Sequence, residues 1–159
     1  MNAAAPELRQ DEELWFMNTW TAIRRSCADG PDGLSIIEHH MPFGDSAPLH
    51  LHRGEDEIFR ILEGEMLFKI GNLEVVAGPG QTVVAPQGVP HAFRPLSPDG
   101  VRCLTILTGP GFEGLLRAAG RPAPRRELPP ASPPTAEFIG RLTETAARHG
   151  IDILGPPLG

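Results

Sequence analysis

Breaks recur along this chain at short intervals, and they decide what it can fold into. ADGPDG occupies 28–33, PFGDSAP 42–48, RGED 53–56, EG 63–64, GN 71–72, AGPG 77–80, PQGV 86–89 and PLSPDG 95–100. Glycine and proline interrupt helices, so no long helical bundle survives such punctuation. Eighteen glycines and eighteen prolines among 159 residues are about twice the usual share. No run approaches the 18 apolar residues that a membrane-spanning helix needs.

Between the breaks lie short runs of period-two or β-branched character: 14–25, 34–41, 49–52, 57–62, 65–70, 73–76, 81–85, 90–94 and 101–108. Strands at such spacing predict an all-β sandwich or barrel. Glu63-Gly64 and Gly71-Asn72 carry tight-hairpin chemistry. Residues 1–13 read as a polar arm. After 108 the character changes. A short amphipathic helix is expected over 112–119. Six prolines make 120–134 an extended, semi-rigid linker. A helix follows over 135–148, with Thr135 as N-cap and Gly150 just past its end. Its apolar stripe of Phe138, Ile139, Leu142 and Ala146 must bury against the barrel or a second subunit. The expected organisation is a barrel over 14–112 and a C-terminal extension over 113–159.

The net charge of −6 gives no electrostatic reason to bind nucleic acid. Arg117, Arg121, Arg125 and Arg126 read as a solvated surface, with no aromatic residue interleaved. Cys27 and Cys103 make neither a disulfide framework nor a CxxC pair. The acidic first residues lack the apolar core of a signal peptide, so a cytoplasmic protein with reduced thiols is expected. Gly109-Pro-Gly111-Phe-Glu-Gly114 fits G-x-G-x-x-G, but a proline-rich linker follows where a nucleotide fold needs a parallel strand. It reads as the turn that ends the barrel.

The chemistry concentrates in His50-Leu51-His52, Glu57 and His91. Residues i and i+2 of a strand share a face, so His50 and His52 can converge on one ion. Glu57 opens the next strand five residues on, and His91 follows Pro86-Gln87-Gly88. Three neutral imidazoles and one carboxylate around a divalent ion leave a net charge of +1. In octahedral geometry two positions stay open for ligands, as a catalytic site requires. His39 and His40 are adjacent, face opposite ways on a strand, and cannot easily share a site. Cys103 reads as core, and His149 as a helix-end residue that suits the dipole.

These residues resemble the two motifs of the cupins. The first, G-x5-H-x-H-x3–4-E-x6-G, is met by Gly44, His50, His52, Glu57 and Gly64. The second, G-x5-P-x-G-x2-H-x3-N, is met by Gly80, Pro86, Gly88 and His91, with Pro95 replacing the final Asn. The resemblance implies a single small jelly-roll β-barrel (a double-stranded β-helix), here with a C-terminal helical extension. It also implies one divalent transition metal held by His50, His52, Glu57 and His91. Donor type alone leaves Fe, Mn, Ni, Co, Cu and Zn open. Cupins often pair barrels, so a homodimer is expected, with residues 1–25 and the proline-rich tail as exchange elements.

If Glu57 points inward, strand alternation sends Phe59 and Ile61 the same way, and Phe93 follows His91. With one face of Met66 and Phe68 they would form an apolar pocket wall. An open metal centre beside such a pocket suits a dioxygenase acting on a small enolic or phenolic, flavonol-like substrate, with Glu57 as ligand and proton acceptor. Residues 150–158 resemble the tails of single-domain quercetin-dioxygenase-like cupins. Two other readings stay open. One is a non-oxidative metal-dependent isomerase or decarboxylase, and the other a module that binds a small ligand without turning it over.

Overall fold

A computed structural model describes residues 10–159. Most of the expected polar arm therefore lies outside the described residues. The run at 14–25 is two strands, β1 (Glu12–Phe16) and β2 (Thr19–Arg25). The chain reverses at Met17-Asn18, where Met17 takes a φ of 53° and Phe16 pairs with Thr19. The other runs become β3 (Ser35–Met41), β4 (Pro48–His52), β5 (Glu57–Glu63), β6 (Met66–Ile70), β7 (Leu73–Ala77), β8 (Thr82–Ala85), β9 (His91–Pro95) and β10 (Val101–Leu107). Then come α1 (Gly111–Ala119), the two-residue β11 (Arg121–Pro122), α2 (Ala136–Arg148) and β12 (Ile151–Pro157).

The strands form two antiparallel sheets, ordered β11-β1-β2-β3-β10-β5-β8 and β12-β4-β9-β6-β7. This is the jelly-roll arrangement, two sheets facing each other across one core. Alternation sets the inner face. On β10, Val101, Cys103, Thr105 and Leu107 are buried while their neighbours are partly exposed. Gly71-Asn72 makes a true hairpin, with Ile70 opposite Leu73. Glu63-Gly64 does not, because β5 and β6 belong to different sheets. Gly64 is instead a corner. Its φ is +81°, and a Cβ there would stand 2.4 Å from the Gly100 carbonyl. Only glycine fits that approach.

One end of the barrel is plugged by a dry cluster. Phe59, Ile61, Met66, Phe68, Val101 and Cys103 are at most 1% exposed. The Phe59 ring lies 4.9 Å from that of Phe68 and 5.4 Å from that of Phe93. Each such aromatic contributes about 1.5–3 kcal/mol through burial.

The C-terminal segment packs on the barrel. Thr135 caps α2, accepting from the Phe138 amide at 3.1 Å. Gly150 takes a φ of +78° just past the helix. Leu142 and Ala146 of α2 bury against Leu115 of α1 and Ile151 of β12, whereas Ile139, also in the expected stripe, is 47% exposed. The proline-rich segment lies along β1. Pro122 pairs with Leu14, and the Trp15 indole donates to the Glu127 carbonyl at 2.8 Å. The last strand, β12, was not foreseen. It pairs with β4, setting Ile151 opposite His52 and Ile153 opposite His50.

Candidate metal centre

Three histidines come from the five-stranded sheet. His50 and His52 share the inner face of β4, and His50 pairs directly with His91 at the start of β9. Glu57, the first residue of β5, comes from the opposite sheet. The four side chains offer ligand atoms that all lie within 4.8 Å of one another. Two ligands on opposite sides of one ion, at the usual bond lengths, stand about 4.2 Å apart. All four residues are at most 9% exposed.

Each imidazole is held by its outer nitrogen. His50 Nδ1 faces the Pro48 carbonyl at 2.7 Å, and His91 Nδ1 faces the Val89 carbonyl at 3.0 Å. His52 Nδ1 faces Glu55 Oε1 at 2.8 Å. All three partners are acceptors, so Nδ1 carries the hydrogen and the Nε2 lone pair turns inward. Inside, His52 Nε2 stands 3.2 Å from Glu57 Oε2 yet is buried without a hydrogen bond. Once the proton that His52 holds against Glu57 is displaced, the Nε2 atoms and the carboxylate present converging lone pairs. These residues fit a divalent transition metal, and the cluster could hold one.

The charges follow the same geometry. Burial alone would depress His52, but the Glu57 and Glu55 carboxylates outweigh it and raise its pKa to about 10. Burial would raise Glu57, but His52 and His91 hold it well below the usual carboxylate range. Burial, helped by His91, pushes His50 down to about 4.

A cavity of about 100 Å³ opens onto the cluster. From the barrel it is lined by Thr19, His39, Met41, Phe59, Phe93 and Thr105. The C-terminal segment supplies Phe112, Leu115, Leu142, Ala146, Ile151 and Ile153. No lysine or arginine is among its described lining residues. Of the expected pocket residues, Phe59 and Phe93 face this cavity. Ile61, Met66 and Phe68 do not; they fill the dry cluster at the far end. Alternation told which side of the sheet they face. It did not tell their depth, and Ile61 lies four residues, about 13 Å, along β5 from Glu57.

His39 lines the cavity, with its Nε2 2.8 Å from Thr105 Oγ1 and its ring stacked 5.8 Å from that of Phe112. Burial pushes its pKa down to about 4. His40 points away, 3.4 Å from the Asp99 carbonyl. Cys103 is core, and burial pushes its thiol up. The G-x-G-x-x-G segment starts α1, and its free amides are already taken: Gly111 and Phe112 donate to Glu55 at 3.1 and 2.7 Å. Glu55 lies in the turn before β5, within the RGED break at 53–56. It is 2% exposed. Its position three residues after His52 was the one signal in the sequence.

No curated protein matches the chain. Among solved structures, a predicted oxalate decarboxylase from Thermotoga maritima superposes with a TM-score of 0.55 at 23% identity, covering 62% of this chain and 90% of that one. The cupin domain of Cnp3 from Schizosaccharomyces pombe gives 0.54 at 17% identity, covering 68% and 76%. KdgF from a Halomonas species gives 0.51 at 21% identity, covering 57% and 78%. At these identities the likeness is one of fold. Among the described residues no helix is long and apolar enough to cross a membrane. The family model described as "Cupin domain" matches residues 37–107, a span that contains all four converging side chains between the two facing sheets, and this part of the chain is a cupin domain.

Proposed function

We propose that the chain is a metal-dependent dioxygenase acting on a small enolic or phenolic substrate. The observation that carries this reading is an apolar cavity, with no lysine or arginine among its described lining residues, that opens onto a three-histidine, one-carboxylate cluster. A dicarboxylate or a sugar phosphate calls for fixed cations in the wall, and the described lining residues offer no lysine or arginine. A neutral, flat, apolar molecule with one ionisable hydroxyl matches it better. The size favours a compact molecule. About 100 Å³ is less than the roughly 150 Å³ that holds a benzene. The enol of a β-diketone is bulkier than benzene, so it would extend a little way through the mouth, and a flavonol much further.

A redox-capable ion bound at the cluster supplies the electronic coupling between dioxygen and the substrate anion. Glu57 accepts the enol proton, so the substrate reacts as its anion. Phe93, Phe112 and Ile153 exclude water around it. Both oxygen atoms end in the cleaved products, and no external reductant is needed. The test is oxygen uptake by protein loaded with Fe, Mn, Co or Ni, offered acetylacetone or a flavonol. Uptake that is lost in Glu57→Gln supports the reading. Absence of uptake with every metal and both substrates overturns it, and ligand binding without uptake then favours a binding module.

A further inference from the structure

Glu55 is a buried carboxylate that no lysine or arginine contacts among the described residues; its three partners are N–H groups from two places. Oε1 accepts from His52 Nδ1 at 2.8 Å and from the Phe112 amide at 2.7 Å, and Oε2 accepts from the Gly111 amide at 3.1 Å. One carboxylate thus holds a ligand imidazole and the first turn of α1. The helix dipole places partial positive charge there. The surroundings are shaped to it. A Cβ on Gly111 would lie 2.8 Å from Glu55 Oε1, and one on Gly109 would lie 3.0 Å from Glu55 Cβ. Phe112, the residue gripped, walls the cavity, and its ring is 6.3 Å from that of His52.

We propose that Glu55 is a positioning residue: it fixes His52 in its metal-binding tautomer and, through the same carboxylate, ties the Phe112 wall of the cavity to the occupied centre. The proposal rests on the metal-centre reading and is independent of the reaction catalysed. A cation on His52 Nε2 polarises the ring and strengthens the Nδ1–H bond to Glu55. Loading the centre therefore tightens the first turn of α1, and a firmly seated α1 holds His52 for the ion. Coupling of this kind is reciprocal.

The test uses the full chain, stripped of metal and titrated with Co²⁺. Binding is read from the visible Co²⁺ bands, and amide exchange at Gly111 and Phe112 is followed by NMR in both states. Glu55→Gln keeps the shape but removes the charge and sets an NH₂ group against one of the donors. It is expected to weaken Co²⁺ binding 10- to 100-fold and to shift the bands. Wild-type exchange at Gly111 and Phe112 should slow at least fivefold on loading, and that slowing should vanish in the variant. Glu113→Gln is the control. Glu113 anchors α1 elsewhere, on the Cys27 amide at 2.8 Å and on Ser26. It should speed exchange equally in both states and leave Co²⁺ affinity within twofold. If Glu55→Gln binds Co²⁺ within twofold of wild type, Glu55 is only a helix cap and the proposal is overturned. Should the variant fail to fold, unchanged wild-type exchange on loading overturns it equally. A wild-type protein that takes up no Co²⁺ instead overturns the metal-centre reading itself.

Discussion

Glu57 Oε2, carried by β5 of the seven-stranded sheet, lies 3.0 Å from His91 Nε2, carried by β9 of the five-stranded sheet. The candidate centre is therefore a contact between the two halves of the barrel. An ion there would join the two sheets. Metal binding should be read in stability as well as in chemistry.

The first prediction concerns protons. His52 is raised to about 10 by Glu57 and Glu55 acting against burial, so near neutral pH the ion must displace a proton. Apparent affinity should rise with pH, by up to about tenfold per unit between pH 6 and 8. Calorimetry in buffers of differing ionisation enthalpy should show proton release on binding. An affinity independent of pH would contradict the assignment.

His39 gives a second pH signature, in the metal-free protein. Its pKa is lowered by burial to about 4 from 6.5, so between these values the unfolded chain binds the proton more readily. The contribution to stability is intact above pH 6.5 and is lost as pH falls towards 4. The loss amounts to something on the order of 3 kcal/mol. Denaturant melts at pH 7.5 and 4.5 should show a smaller drop for His39→Gln than for wild type. Equal drops would place His39 outside the buried environment described.

The wall built by α2 makes a third prediction. Ala146 lines the cavity and is 1% exposed. Ala146→Leu adds bulk to the cavity, and overpacking should destabilise the fold by about 1–3 kcal/mol. Acetylacetone binding should weaken at least tenfold, with metal content unchanged. Unchanged ligand affinity would mean that ligands bind elsewhere.

His50, His52 and Glu57 were legible in the sequence because their offsets are local facts, whereas His91, far along the chain, was placed by the resemblance of residues 80–91 to the second cupin motif. Two residues along β4 share a face, and a short turn returns the chain at Glu57. The strands were legible wherever breaks bounded them. What escaped depended on long-range placement. Glu55 reads as turn chemistry until α1 arrives with its amides. β12, with glycine and two prolines near its end, has weak strand propensity and exists because β4 offers it an edge. The same limit applied to Ile61, Met66 and Phe68, whose inward facing was correct but whose depth in the barrel is set by how the sheets close.

The central claim is that His50, His52, Glu57 and His91 hold one metal ion, and elemental analysis tests it most directly. Protein purified from its native host without chelators should carry roughly one transition-metal ion per chain, and His91→Ala, made the same way, should carry almost none while keeping its β-rich circular dichroism. Equal metal content in the two proteins, or none in wild type, would contradict it.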